Sequence, residues 1–573
     1  MKESFMNLAT CLLAMSLSGC SGENGAASPE SATPSTSASQ IVANTVFTNG
    51  NIYTVNPEQP SAQAVALKDG EIIFVGDDSQ VQNYIGDNTR VINLQGKMMM
   101  PGIHDVHMHP LESGSDTTHF SLSEAETDVE YYIDEVIDAS ARNPQASWLI
   151  GYGHTIEALL DAERNPREIL DDAVPDRPVI IMEQTSHSMW VNSKALALAN
   201  ITSSSRDPIG GVISRDSSGR PDGILYDNAG DIVMEIAINA QGDADEKDYL
   251  GFVEYTQPAL NKHGITAISD ARTYWQRNHL DTWQELAKNN ELSLRVSLGL
   301  WAYPEANDAT QITRLLDMYQ ADADSLLKVN QVKFYMDGII NNTTAALHQP
   351  YEIDLLGLHG NKGLNYFTPQ RLEKYLKALE PAGFDFNIHA IGDRGITEAL
   401  DAIENASNGK ARHRLTHLEV MAPEDYPRFA ALNVIADAQV AGEFTKPQHW
   451  QENIDYLGAE RADHIIPIGS LLDNNARLTL SSDWNVSTFN PFVGIANAIT
   501  RTPEEISLGD AIQAYTLNGA YAMRQDDITG SIEVGKRGDL IVLDRDLFNS
   551  SAVQIKNTRV EMTWLDGELI YQR

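Results

Sequence analysis

Phe384-Asp385-Phe386-Asn387-Ile388-His389 and Arg414-Leu415-Thr416-His417 are two short runs, each ending in a histidine, and Ile396, Leu400 and Ile403 recur at helical spacing between them. A second helical pattern, around Phe429 to Leu432, leads to a third run from Val434 to Ala438. Strands alternating with helices imply parallel pairing, because parallel neighbours need a crossover long enough to hold a helix. Thr368-Pro369 ahead of Leu372, Leu376 and Leu379 is a helix start of the same grammar, with a capping hydroxyl and a proline at the first position. Continued over a middle region of roughly 400 residues, the alternation fits an α/β fold of the (β/α)8 barrel type better than a doubly wound sheet. Such barrels carry their chemistry at the C-terminal ends of the strands, where these histidines stand.

Working outward, the segment from about 111 to 260 breaks the alternation and is expected to be an insertion after the first barrel strand, a candidate lid. Before the barrel, Val46 to Thr48, Ile52 to Val55, Ala64 to Leu67 and Ile72 to Val75 read as strands, the last two joined by a Lys68-Asp69-Gly70-Glu71 turn. After it, Leu540 to Leu543 and Met562 to Tyr571 repeat the pattern. Neither end is large enough for a core of its own, so residues 41–97 and 526–573 are expected to form one β-sandwich around a barrel spanning 98–525.

The N-terminus differs from all of this. A mostly apolar run from Phe5 to Leu17 is followed by Leu17-Ser18-Gly19-Cys20, which resembles a bacterial lipobox: residues 1–19 are expected to be a signal peptide and Cys20 a lipidated new N-terminus. Residues 20–40, rich in Ser, Ala, Thr, Gly and Pro, read as a flexible tether. The expected place is the cell envelope, at the outer membrane or periplasm, with membrane attachment through this anchor alone. Cys11 and Cys20 are the two cysteines of the 573 residues, so the body holds no disulfide. A formal net charge of −39 repels phosphate backbones and argues against nucleic-acid binding.

Met98 to Met108 runs an apolar stretch, Met98-Met99-Met100-Pro101-Gly102-Ile103, into His104-Asp105-Val106-His107-Met108-His109. Residues i and i+2 of a strand share a face, so His107 and His109 can converge on one metal ion. Such a pair taken alone is more often structural. Four further motifs change that: Val332-Lys333-Phe334 with Asp337-Gly338, Asn387 to Asp393, Arg414 to His417, and Leu480-Ser481-Ser482-Asp483-Trp484. In this order they resemble the signatures of the amidohydrolase superfamily, within it amidohydrolase family 3, the YtcJ-like proteins.

The resemblance implies a binuclear centre held by His107, His109, Lys333, His389, His417 and Asp483, with Lys333 carboxylated so that its carbamate bridges two ions. Two divalent metals are expected, zinc first because imidazole-rich sites suit it, with iron, manganese or cobalt as alternatives. Asp483 is expected to take a proton from metal-activated water and deliver it to a leaving nitrogen. In the insertion, His187-Ser188-Met189-Trp190 resembles another motif of the subgroup and makes His187 and Trp190 candidate substrate-binding residues. The expected activity is hydrolysis of a non-peptide carbon–nitrogen bond in a small amide-like substrate. Alternatives are a lactonase or esterase on the same site, or a non-catalytic binding lipoprotein.

Overall fold

A computed structural model describes residues 41–123 and 128–573; the signal peptide, the tether and Cys20 lie outside the described residues. Eight parallel strands make the central sheet: β1 (Ile103–Met108), β2 (Ile265–Thr273), β3 (Arg295–Trp301), β4 (Leu327–Tyr335), β5 (Asp385–Ala390), β6 (Arg414–His417), β7 (Ile435–Gln439) and β8 (Arg477–Ser481). Each pairs with its sequence neighbour, and a parallel bridge between Met108 and Trp484 brings β8 back to β1. This is the (β/α)8 barrel that the alternation implied.

Strand alternation sorts the side chains. On β4, Val332 and Phe334 are fully buried in the main apolar core, and Phe334 packs on Phe367, Tyr375 and Phe386. The intervening residues meet polar partners instead: Gln331 accepts from Ser269, and Lys333 reaches His107. Arg414, 1% exposed, donates to the Val106 carbonyl and the Ser269 hydroxyl, so polar groups bridge β6, β1 and β2. A barrel with a polar, hydrogen-bonded interior is costly to desolvate and is held together by mutual pairing of those groups.

The terminal segments build two sheets. One holds Thr45–Thr48, Ala64–Lys68, Glu71–Gly76 and Arg90–Asn93; the other holds Asn51–Tyr53, Ser61–Ala62, Met98–Pro101, Leu540–Leu543, Val560–Leu565 and Glu568–Gln572. Phe47, Val65, Met99, Leu540 and Trp564 share one buried cluster between them. Met98–Pro101 therefore departs from the sequence reading, which placed it in the barrel: it pairs with Asn51–Ile52 and with Val542–Leu540. The chain changes layers at Gly102, whose N–H donates to the Asp539 carbonyl and where a Cβ would collide with Thr266.

Between β1 and β2 the chain builds a mixed six-stranded sheet of its own, Phe120–Ser121, Leu149–His154, Val179–Glu183, Ser188–Val191, Gly211–Arg215 and Pro221–Asp227. Apolar clusters cover both of its faces.

Barrel and sandwich are joined by Arg295 at the start of β3. Its guanidinium grips Asp539 at 2.7 and 3.1 Å and also reaches Asp566. Arg295 and Asp539 are both buried, so removing one leaves the other charge uncompensated. Arg295→Met is expected to lower stability by about 3–5 kcal/mol, read as a fall in the urea midpoint, whereas the exposed pair Arg164–Asp172 tolerates loss with little change.

Candidate metal centre

The seam between β1 and β8 sets the site. The Asp483 N–H donates to the His107 carbonyl at 2.8 Å and the His109 N–H to the Trp484 carbonyl at 2.7 Å. One Asp105 oxygen accepts from the backbone of both His107 and Ser482. These bonds bring Asp483 Oδ1 to 3.3 Å from His107 Nε2 and 3.1 Å from His109 Nε2. His417, at the end of β6, lies with Nδ1 3.9 Å from the other Asp483 oxygen, and His389, at the end of β5, packs its ring on His417 with centroids 4.4 Å apart. His417 and Asp483 both hold positive backbone φ, +79° and +52°, a strained state for non-glycine residues that surrounding structure must impose.

Proton positions follow from the hydrogen bonds. The Thr416 hydroxyl gives its hydrogen to Asp437 at 2.8 Å, so it accepts from His107 Nδ1 at 2.9 Å. With the proton on Nδ1, Nε2 of His107 is a lone pair that lies 3.0 Å from Lys333 Nζ and 3.3 Å from Asp483 Oδ1. His389 Nε2 must donate to the Gly338 carbonyl at 3.1 Å, because a carbonyl only accepts; its Nδ1 is buried without a partner. Burial pushes His109 down to about 4 and holds His389 and His417 well below the usual imidazole value. The His107 lone pair beside the Asp483 carboxylate, and the partnerless nitrogens of His109 and His389, are buried acceptors that a cation among them would satisfy. Ligand atoms of His107, His417 and Asp483 all fall within 4.8 Å of one another, and these donors fit a divalent ion.

Lys333 is fully buried, with Nζ 3.0 Å from His107 Nε2 and no carboxylate within ion-pairing distance among the described residues. Burial holds its amine well below the ordinary lysine value. Five of the six expected ligands thus meet directly, and His389 joins them through His417.

The two insertion residues separate. His187 lines the cavity above the cluster, with its ring 5.2 Å from that of His389 and 5.7 Å from that of Tyr335. Its Nδ1 lies 2.7 Å from Asp227; burial opposes charge on the ring, but that carboxylate outweighs it and raises the imidazole above its usual value. Trp190, read from the sequence as a substrate contact, is instead core: it is fully buried and its indole donates to the Pro166 carbonyl. On its strand it faces the apolar cluster of the insertion sheet, away from the cavity.

Several supporting partners had no role assigned from the sequence, although Asp337 stood in the Lys333 motif. Asp437 on β7 accepts from Thr416, Thr479, Ser481 and Gln439, and so fixes His107 through Thr416. Asp337 accepts three backbone N–H groups, from Ala346, Ile391 and Gly392, which holds the Gly338 carbonyl where His389 needs it. Gly395 lets the following helix lie against Asp337, since a Cβ there would sit 2.7 Å from its oxygen. Asp227 is the third. Asp437 had a readable signal, an acid inside an apolar strand, as Lys333 had. His104 is structural: buried, it lies between the Gly102 carbonyl and the Thr529 hydroxyl and is pushed down to about 3 by burial.

Above these residues opens a cavity of about 560 Å³, reached by His187, His389, His417 and Asp483 and walled by Ile339, Ile340 and Ile466. The model of the amidohydrolase family matches residues 90–571, most of the chain. The chain belongs to the amidohydrolase family. It is a metal-dependent hydrolase of carbon–nitrogen bonds. The amidohydrolase is 29% identical to the protein LONG AFTER FAR-RED 3 of Arabidopsis thaliana over 568 residues, covering 93% of this chain and 92% of the relative. It is 26% identical to the N-substituted formamide deformylase of Arthrobacter pascens, over 92% of this chain and 98% of that one. An uncharacterized metal-dependent hydrolase from Pyrococcus horikoshii OT3 shares the fold, with a TM-score of 0.69 at 23% identity over 89% of this chain and 99% of its own.

Thr416→Val removes the acceptor that fixes the His107 tautomer without changing side-chain shape. Metal affinity is expected to fall about 10–100-fold in chelator competition, with unchanged circular dichroism.

Proposed function

We propose that this amidohydrolase is a binuclear amidase acting on a small amide-like substrate such as an N-substituted formamide. The observation that carries the reading is the gathering of His107, His109 and His417 around the Asp483 carboxylate, with Lys333 and His389 against them. His107, His109, Lys333, His389, His417 and Asp483 would hold two divalent ions, with zinc the first expectation. When bound, the ions supply Lewis-acid polarisation and a water of lowered pKa.

The chain's own residues do the rest. Asp483 accepts a proton from the attacking water and passes it to the departing nitrogen, so a carbon–oxygen bond forms as the carbon–nitrogen bond breaks and no covalent enzyme intermediate is needed. His187, raised above the usual imidazole value by Asp227, lines the cavity and in its protonated form offers its second N–H to the substrate carbonyl oxygen. Lys333, an amine with no counter-charge, adds to carbon dioxide with loss of a proton, and the resulting carbamate replaces a buried amine with an anionic ligand. The similarity to the formamide deformylase over nearly the whole of both chains supports the substrate class.

The placement is also proposed: cleavage before Cys20 and lipidation there, residues 20–40 as tether, and the catalytic body held at the periplasmic or outer-membrane surface. We also read the body as sandwich, barrel and insertion, a reading that the sheets described above support.

Asp483→Asn is expected to lower kcat on N-substituted formamides by about 10²–10⁴, because it removes the group that moves the proton. Lys333→Ala is expected to lose bound metal and activity together, with partial recovery on adding short carboxylic acids. Full activity of Lys333→Ala without such acids would contradict the carbamate.

A further inference from the structure

Resting on the amidase reading, the cavity wall carries a second message. Five carboxylates line it, Glu157, Glu419, Glu452, Asp455 and Asp483, and no lysine or arginine does. Three of the five are engaged: Asp483 with the histidines, Glu157 with the Tyr456 hydroxyl at 3.2 Å, and Glu452 with His449 at 2.7 Å. Glu419 and Asp455 have no side-chain hydrogen bond or ion pair among the described residues.

Glu419 follows β6 by two residues and is partly buried. Its charged neighbours are His187, Asp483 and Arg501. His187 is already paired with Asp227, and Arg501 spends its guanidinium on the carbonyls of Thr445, Ile465 and Ile466. A carboxylate left in this position loses water when a substrate fills the cavity, and an ammonium brought by that substrate offsets the loss with charge-assisted hydrogen bonds. A substrate carboxylate placed against Glu419 and Asp455 would meet like charge. At longer range, the chain's formal charge of −39 favours approach of cations.

We infer that the substrate carries, besides the amide to be cleaved, a positively charged amino group, and that Glu419 receives it, with Asp455 and Glu452 lining its way in. Glu419 is thus a specificity-determining residue and the substrate class is the monoacylated diamines and related cationic amides. The isoleucines that line the same cavity suit an aliphatic chain between the two ends.

The test uses the metal-loaded full chain and three N-formyl alkylamines of equal length, ending in an ammonium, a methyl or a carboxylate group. The expected order of kcat/KM is ammonium, methyl, carboxylate, with the first about tenfold or more above the second and declining with added salt. In Glu419→Gln the ammonium-to-methyl ratio falls about tenfold, through KM. Should that variant fail to fold, Asp455→Asn and the wild-type order decide in its place. A wild type that prefers the methyl or carboxylate compound, or a Glu419→Gln variant that keeps the full ratio, overturns the inference. If none of the three is cleaved, the amidase reading fails separately; calorimetry of a free alkyl diamine against the matching monoamine alcohol then tests the cation site, with weaker diamine binding in Glu419→Gln expected and equal binding of the two ligands in wild type contradicting it.

Discussion

One oxygen of Asp483 faces two imidazole nitrogens at the seam where the barrel closes. Much of the fold can be understood as what it takes to hold that contact. The backbone bonds between Asp483 and His107 and between His109 and Trp484 join the last strand to the first. Asp105 ties the same two strands from below. The left-handed backbone at His417 and Asp483 shows that the strand ends are bent to bring ligands inward, at a cost of about 1–3 kcal/mol each that the surrounding packing must offset.

The polar interior is the corollary. An apolar barrel would be more stable, but Asp437 and Thr416 fix which nitrogen of His107 bears its proton, while Gln331 and Arg414 pair through Ser269 in the same interior. Asp337 does the same for His389 through the Gly338 carbonyl. The insertion adds a roof with its own core and lowers His187, backed by Asp227, over the rim. Tyr366 donates to Asp227 as well, so a residue from the loops after β4 helps hold a group from the insertion.

The barrel was legible because periodicity locates strand ends and strand ends locate the rim; the six metal-ligand candidates came from the resemblance to the family's motifs at those ends. The i, i+2 spacing of His107 and His109 only allowed a shared ligand, and the role of Lys333 was implied by its motif alone. Met98–Pro101 misled because an apolar strand looks the same in either layer; only the pairing with Leu540–Val542, more than 400 residues away, decides it. Trp190 misled because one residue of a strand sits on one face and the next on the other, and the face of the insertion sheet that meets the cavity is set by packing. Glu419 gave no signal at all, since its meaning depends on what the cavity leaves unpaired.

The most direct test of the account is crystallography of the metal-loaded protein with anomalous data at the metal edge. The prediction is two ions, with His107, His109 and Asp483 around one, His389 and His417 around the other, and extra density on Lys333 Nζ joining them. A fully loaded crystal with no anomalous signal among these residues, and an unmodified Lys333 amine still bonded to His107, would contradict it.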